Sequence, residues 1–111
     1  MFKLIRDKIP SLMKEEGKVC NYAAVQNDEL YYELLRGKLI EEVNEFLSNG
    51  AVEELVDIMT VIKALYTALG INEKSFEELY EDKFEKQGGF DNKYMIFLSD
   101  QPQVRSEEEN K

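Results

Sequence analysis

Residues 38–57 have the sequence KLIEEVNEFLSNGAVEELVD, in which two runs with regularly spaced apolar residues flank the dipeptide Asn49-Gly50. That dipeptide is typical of a tight turn. On both sides of it, apolar residues recur at intervals of three and four, which is the period of an amphipathic helix. Because the connection is so short, the two helices must be neighbours that run antiparallel. The stretch therefore predicts an α-helical hairpin.

Two pairs of acidic residues in this hairpin have a spacing that favours metal binding. Glu42 and Glu45 on the first helix are three residues apart, which places both on one helix face. Glu54 and Asp57 have the same spacing on the second helix. Glu45 and Glu54 lie equally far from the turn, as do Glu42 and Asp57. The four carboxylates are therefore predicted to meet at two levels, one helical turn apart.

Glu54 is the most informative of the four, because it falls in the middle of the apolar stripe of its helix. A buried carboxylate costs several kcal/mol unless it is paired with a cation or bound to a metal. Four negative charges in one small volume need cations between them. Mg²⁺ is the hard divalent ion best matched to oxygen ligands, with Mn²⁺ as a substitute. The alternative is that these are ordinary surface charges, since one such pair alone is a weak signal.

The rest of the chain also has a helical pattern, so we expect an all-α fold. It would be a compact bundle of three main helices and a short N-terminal one, in a single domain over residues 1–98. Asp28 is the predicted N-cap of the second helix, and Ser75 with Glu78 forms a predicted capping box for the fourth. The predicted helices cover residues 9–16, 28–48, 51–69 and 75–87. We expect residues 19–26 to be irregular or extended. Residues 94–98 fit a short strand or a docked tail, and residues 99–111 fit a disordered acidic tail.

The composition excludes several classes of protein. Acidic residues outnumber basic ones by 23 to 14, giving a net charge of −9, which disfavours nucleic acid and anionic membranes as partners. With no His, neither Ser-His-Asp catalysis nor a His-ligated zinc site is available. The single Cys20 allows no internal disulfide, and no apolar run is long enough to span a membrane. We therefore expect a cytoplasmic protein.

Three lysines fall near the carboxylates or on an apolar face. Lys38 precedes Glu42 by one helical turn, and Lys83 and Lys86 lie on the apolar face of the fourth helix. Each could be a lysine whose stem covers apolar surface, or a helical ion-pair partner of an acidic residue. Around a cluster of carboxylates and Mg²⁺, lysines also suit a substrate that carries several phosphates.

Three motifs in this order resemble a known family. They are EExxE at 41–45 with ExxD at 54–57, KLIRDKIP at 3–10, and DKFEKQGGF at 82–90. Together they resemble the all-α nucleoside triphosphate pyrophosphohydrolases, the MazG-like superfamily, and most of all its small phosphoribosyl-ATP pyrophosphohydrolase-like members. The resemblance covers roughly residues 3–98. Gln87 stands where that family has a basic residue.

The resemblance implies an enzyme that hydrolyses a nucleoside triphosphate between its α- and β-phosphates, releasing a monophosphate and pyrophosphate. Nonstandard nucleotides are one substrate class it suggests. Glu41 would orient or deprotonate the attacking water, although it could equally support a metal ligand or pair with Lys38. The implied Mg²⁺ ligands are Glu42, Glu45, Glu54 and Asp57; the implied phosphate contacts are Arg6, Lys8, Lys38, Lys83 and Lys86; the base would meet residues such as Tyr31, Leu34 and Leu35.

Two other functions remain open from the sequence. One is hydrolysis of phosphoribosyl-ATP in histidine biosynthesis, and the other is a non-catalytic helical protein that binds metal or regulates a partner. The third helix is apolar around about half its circumference, which is wider than the stripe that one neighbouring hairpin covers. We therefore expect a homodimer or homotetramer.

Overall fold

The computed structural model describes residues 2–98. This part of the chain contains four α-helices and no strand, which confirms the all-α prediction. Of the described residues, those up to Tyr80 form one compact unit and those from Glu81 onward form a second. None of the described helices combines the length and apolar character needed to cross a lipid bilayer. The helices are α1 (Ile9–Glu15), α2 (Asp28–Asn49), α3 (Val52–Ala68) and α4 (Glu73–Gln87).

The α2–α3 hairpin is built around a left-handed glycine. Gly50 has a φ of 67°, which only glycine adopts without strain, and its N–H donates to the Phe46 carbonyl at 2.7 Å. Asn49 Oδ1 accepts from the N–H of Ala51 at 2.8 Å, which holds the start of α3 against the end of α2. In the first unit, α2 and α3 are the helices that pack against each other along their lengths.

The apolar core of the first unit is small. Its buried apolar side chains are Leu35, Val61 and Tyr66. Tyr66 stacks on Phe76 of α4, with ring centroids 4.2 Å apart. Packing of α2 on α3 therefore depends on few buried residues, and many large apolar side chains stay exposed.

Two predicted N-caps are wrong, by one residue for α2 and by three for α4. Asn27, not Asp28, caps α2, since its side chain accepts from the N–H of Leu30 at 2.8 Å. Asn72 Oδ1 accepts from the N–H of Ser75 at 2.8 Å, so α4 begins earlier than the predicted capping box. In both cases an asparagine upstream of the predicted cap satisfies a free N–H first.

Residues 88–98 contain no helix or strand, so the predicted short strand at 94–98 is wrong. A strand needs a partner strand, and the described part of the chain offers none. The side chains of residues 94–98 are all exposed, which also fails to bear out a docked tail. The predicted acidic tail, residues 99–111, lies outside the described residues, and the domain limit at residue 98 therefore stays a prediction.

Candidate metal and phosphate site

Three of the four predicted metal ligands come together between α2 and α3. Glu42, Glu54 and Asp57 each offer a carboxylate oxygen, and these oxygens lie within 4.8 Å of one another. Glu42 is buried, with 7% of its surface exposed, and the other two are half-buried. The turn at Gly50 sets this register, because it fixes which residues of the two helices stand at the same level. We call these three residues the carboxylate cluster.

Glu45, the fourth predicted ligand, lies outside the cluster but interacts with it. The negative charge of Glu54 raises the pKa of Glu45, and burial and the charge of Glu42 act in the same direction. Glu54 accepts a hydrogen bond at Oε2 from Asn49 Nδ2 at 3.2 Å. Its other oxygen, Oε1, is buried and has no hydrogen-bond partner among the described residues. An orphaned carboxylate oxygen of this kind is costly unless a cation is nearby.

Basic side chains reach the cluster from the N-terminal segment. Arg6 Nη2 lies 2.5 Å from Asp57 Oδ1 and donates to Thr60 Oγ1 at 3.2 Å. The Thr60 hydroxyl in turn donates to the carbonyl of Val56 at 2.9 Å, which fixes its lone pairs toward Arg6. A residue near the N-terminus is therefore attached to the third helix through two polar contacts.

Lysines neutralise the α2 side of the site. Lys38 Nζ lies 3.5 Å from carboxylate oxygens of both Glu41 and Glu42. Lys3 Nζ lies 3.0 Å from Glu41 Oε2. The Lys3 ammonium holds the pKa of Glu41 below its usual range, and Glu41 raises the pKa of Lys3.

The charges of the described site do not balance. Five carboxylates are present, from the cluster, Glu41 and Glu45, and three cations contact them, namely Lys3, Arg6 and Lys38. Five minus three leaves two negative charges in the metal-free site. The excess lies where Glu45 approaches Glu54, since neither is in an ion pair among the described residues.

A cavity of about 580 Å³ adjoins the cluster. Glu42 and Asp57 line it together with Arg6, Lys38 and Thr60, so part of its wall is charged. The N-terminal segment and helices α1, α2 and α3 supply the other lining residues, which are Leu4, Ile5, Asp7, Lys8, Ile9, Leu12, Tyr31, Leu35, Val61 and Ala64. Most of these are apolar, so the cavity combines a polar region with an apolar one.

The predicted phosphate contacts fall into two groups. Arg6, Lys8 and Lys38 line the cavity. Lys83 and Lys86 lie in the second unit, where Lys86 pairs with Asp82 at 3.1 Å, the helical ion pair that was the alternative. A phosphate role for these two lysines stays a prediction. Of the residues expected to meet the base, Tyr31 and Leu35 line the cavity, and Leu34 is not among its lining residues.

Sequence reasoning missed three residues that contact the site: Lys3, Asn49 and Thr60. Asn49 was interpreted only as part of a turn, yet its two side-chain atoms hold both the turn and Glu54. Thr60 follows Asp57 by three residues and shares its helix face, which is the signal that could have identified it. Lys3 is the first residue of the KLIRDKIP motif, but no local pattern indicates its contact with Glu41, which is distant in the sequence.

The fold and the site thus define a helical protein with carboxylates gathered beside a cavity of about 580 Å³. No protein-family model, curated protein or solved structure matches this chain.

Proposed function

We propose that the chain is a Mg²⁺-dependent nucleotide pyrophosphohydrolase of the all-α, MazG-like kind, which converts a nucleoside triphosphate and water into a monophosphate and pyrophosphate. The observation that carries this proposal is the meeting of Glu42, Glu54 and Asp57 beside a cavity whose lining includes Glu42, Asp57 and basic residues. A cytoplasmic location agrees with the single free thiol of Cys20.

The residues of the cluster fit a hard divalent cation. All the donors are carboxylate oxygens, which Mg²⁺ and Mn²⁺ prefer over softer ligands. Their separation, within 4.8 Å, is near the spacing of about 4.2 Å between opposed oxygens around Mg²⁺. The orphaned Glu54 Oε1 and the two unbalanced negative charges favour the same conclusion. Glu42, Glu54 and Asp57 would hold the ion, with Glu45 next to them, and the bound ion would neutralise charge on the phosphates and acidify a water.

The basic residues of the cavity suit the phosphate chain. Arg6 presents a planar guanidinium that binds phosphate through paired hydrogen bonds, whereas Lys8 and Lys38 present point charges. The apolar wall, with Tyr31 and Leu35, suits a nucleobase. A volume of about 580 Å³ lies within the range of sites for ligands of this size.

Glu41 is the best placed candidate to orient the attacking water. Its partners Lys3 and Lys38 keep it ionised, because they lower its pKa. An ionised carboxylate can accept a hydrogen bond from water and hold it in line with the bond to be broken. Glu41 directly precedes Glu42 on α2. It therefore adjoins the cluster without belonging to it.

We also propose a homodimer. Ile40 and Leu47 on α2, with Val52, Leu55 and Met59 on α3, are between 47% and 74% exposed. At about 100° per residue, these five lie on the sides of α2 and α3 opposite to the acidic residues. We call them the apolar face. Ile40 and Met59 lie equally far from the turn, as do Leu47 and Val52, so both helices contribute at the same levels. A second copy covering this face would remove an apolar patch that single chains rarely tolerate.

The test of the proposed function is a product assay. Purified protein is incubated with a panel of ribo- and deoxyribonucleoside triphosphates and phosphoribosyl-ATP, with Mg²⁺ or with EDTA, and products are separated by ion exchange. We expect equal amounts of monophosphate and pyrophosphate in Mg²⁺ and none in EDTA. Release of single phosphates would indicate a different phosphohydrolase. Turnover confined to phosphoribosyl-ATP would assign the histidine pathway, and no turnover would favour a binding protein.

A further inference from the structure

The N-terminal segment adds two cations, Lys3 and Arg6, to the one that α2 supplies, which is Lys38. Lys3 reaches Glu41 of α2, and Arg6 reaches Asp57 and Thr60 of α3. The segment thus crosses from one helix of the hairpin to the other, and its residues from Leu4 onward form a large part of the cavity wall. We call residues 3–8 the strap.

Arg6 forms an ion pair with Asp57, one of the three carboxylates expected to bind the metal. Its Nη2 contacts Asp57 Oδ1, and half of its side chain remains accessible to solvent. Asp57 has a second oxygen, so a metal could in principle bind beside the guanidinium. The two positive charges would then repel each other on a single, partly exposed carboxylate, so the guanidinium and the metal compete for Asp57.

We infer that Arg6 is a displaceable counter-cation, which neutralises Asp57 in the metal-free protein and moves to the substrate phosphates when the cluster takes up a divalent ion. This inference rests on the proposed function, because it assumes the metal site at the cluster. It adds a link between the strap and substrate binding, since the same side chain would hold the strap closed in one state and bind phosphate in the other.

The position of Arg6 favours this exchange. Arg6 lines the cavity, so a short movement away from Asp57 leaves it facing the space available to a phosphate chain. Thr60 lines the same cavity and accepts a hydrogen bond from Arg6, which keeps the guanidinium near the wall when the ion pair is broken. Thr60 is therefore a positioning residue that acts through Arg6.

The test is metal binding without nucleotide, followed by kinetics. Mn²⁺ binding to the wild-type chain and to Arg6→Gln is measured by isothermal titration, and the KM for a nucleoside triphosphate is then compared. Removing Arg6 frees Asp57, so Mn²⁺ should bind about three- to fivefold more tightly. The KM should rise about tenfold, because a charged phosphate contact is lost. Opposite changes in metal and nucleotide affinity from one substitution are the signature of the exchange.

Two variants complete the experiment. Thr60→Val keeps the shape of the side chain but cannot accept from Arg6, so it should shift both affinities in the same directions by a smaller factor. Arg36→Gln removes an arginine that pairs with Glu33 on α2 outside the cavity, and it should change neither affinity. Circular dichroism confirms that each variant is folded.

The outcomes separate this inference from the proposed function. If the wild-type chain binds no Mn²⁺, the proposed metal site is wrong. If it binds Mn²⁺ but Arg6→Gln binds it equally or more weakly, the metal site stands and the exchange of Arg6 is wrong.

Discussion

Glu42 of α2 and Asp57 of α3 present carboxylate oxygens within 4.8 Å of each other, and each is already paired with a different base. Lys38, on the same helix, lies 3.5 Å from Glu42, whereas Arg6 of the strap binds Asp57. The two acids stand at one level because they lie equally far from the turn at Gly50. The cluster is therefore partly neutralised by the chain itself, and its remaining negative charge lies at Glu54 and Glu45.

Replacing Glu54 by Gln should abolish most of the activity. The substitution keeps the shape and the contact with Asn49 but removes one charge from the cluster. We expect turnover to fall at least about 100-fold, as when a principal electrostatic contributor to a transition state is lost. Thermal unfolding in EDTA should be unchanged or occur at a higher temperature, because repulsion between carboxylates is relieved.

Glu53→Gln is the matched control for that substitution, since Glu53 adjoins Glu54 in sequence but is exposed and outside the cluster. It should retain activity within about twofold, as most surface substitutions do. Equal activity in the two variants would exclude Glu54 as a metal ligand.

Asn49 links the turn to the cluster, so Asn49→Ala should weaken both. The variant loses the hydrogen bond to the N–H of Ala51 and the one to Glu54 Oε2. We expect a loss of about 1 kcal/mol in the free energy of unfolding, measured by urea denaturation. Mn²⁺ should bind several-fold more weakly, because Glu54 is no longer held. Asn44→Ala, at an exposed position of α2, should change neither quantity.

Glu45 and Glu41 should have opposite effects on the dependence of stability on pH. The pKa of Glu45 is raised above its ordinary value of 4.5, so this group contributes stability below that pH and loses it as the pH rises through the raised pKa. The pKa of Glu41 is lowered, so its contribution is present above 4.5 and is lost as the pH falls through the lowered pKa.

Thermal unfolding of Glu45→Gln and Glu41→Gln tests these signs. In EDTA at low ionic strength and pH 7, Glu45→Gln should unfold at a higher temperature than the wild type and Glu41→Gln at a lower one. Each difference should shrink as the pH is lowered through the range where that acid becomes protonated. Shifts of the same sign at pH 7 would show that Glu45 and Glu41 do not lie in opposite electrostatic environments.

The structure also shows which contacts a sequence can reveal. The hairpin was predictable because the turn at Gly50 and the spacing of apolar residues are local signals. A short turn also fixes which residues of α2 lie level with which residues of α3. The bond of Arg6 to Asp57 was not predictable, because its geometry depends on the path of residues 16–27, which have no helical or strand periodicity. The helix caps Asn27 and Asn72 were missed because several neighbouring residues can each act as a cap.

Disrupting the apolar face should separate the proposed dimer. Leu47 is a member of that face on α2 and is 74% exposed, so Leu47→Glu places a charge in the proposed interface without disturbing the core. Light scattering at micromolar concentration should give at least twice the chain mass of 13.0 kDa for the wild type and a single chain for the variant. Val19→Glu, at an exposed position outside the helices, should leave the mass unchanged. A folded, active wild-type monomer would contradict the dimer.

The most direct measurement is the position of Mn²⁺ in crystals soaked with that ion, located by its anomalous scattering. The account predicts a peak between Glu42, Glu54 and Asp57, with oxygens at about 2.2 Å, and no peak there in crystals of Glu54→Gln. The same map would show whether Arg6 has left Asp57. A well-ordered cluster with no peak, or a peak bound elsewhere in crystals of an active enzyme, would contradict the assignment of this hairpin as the metal centre.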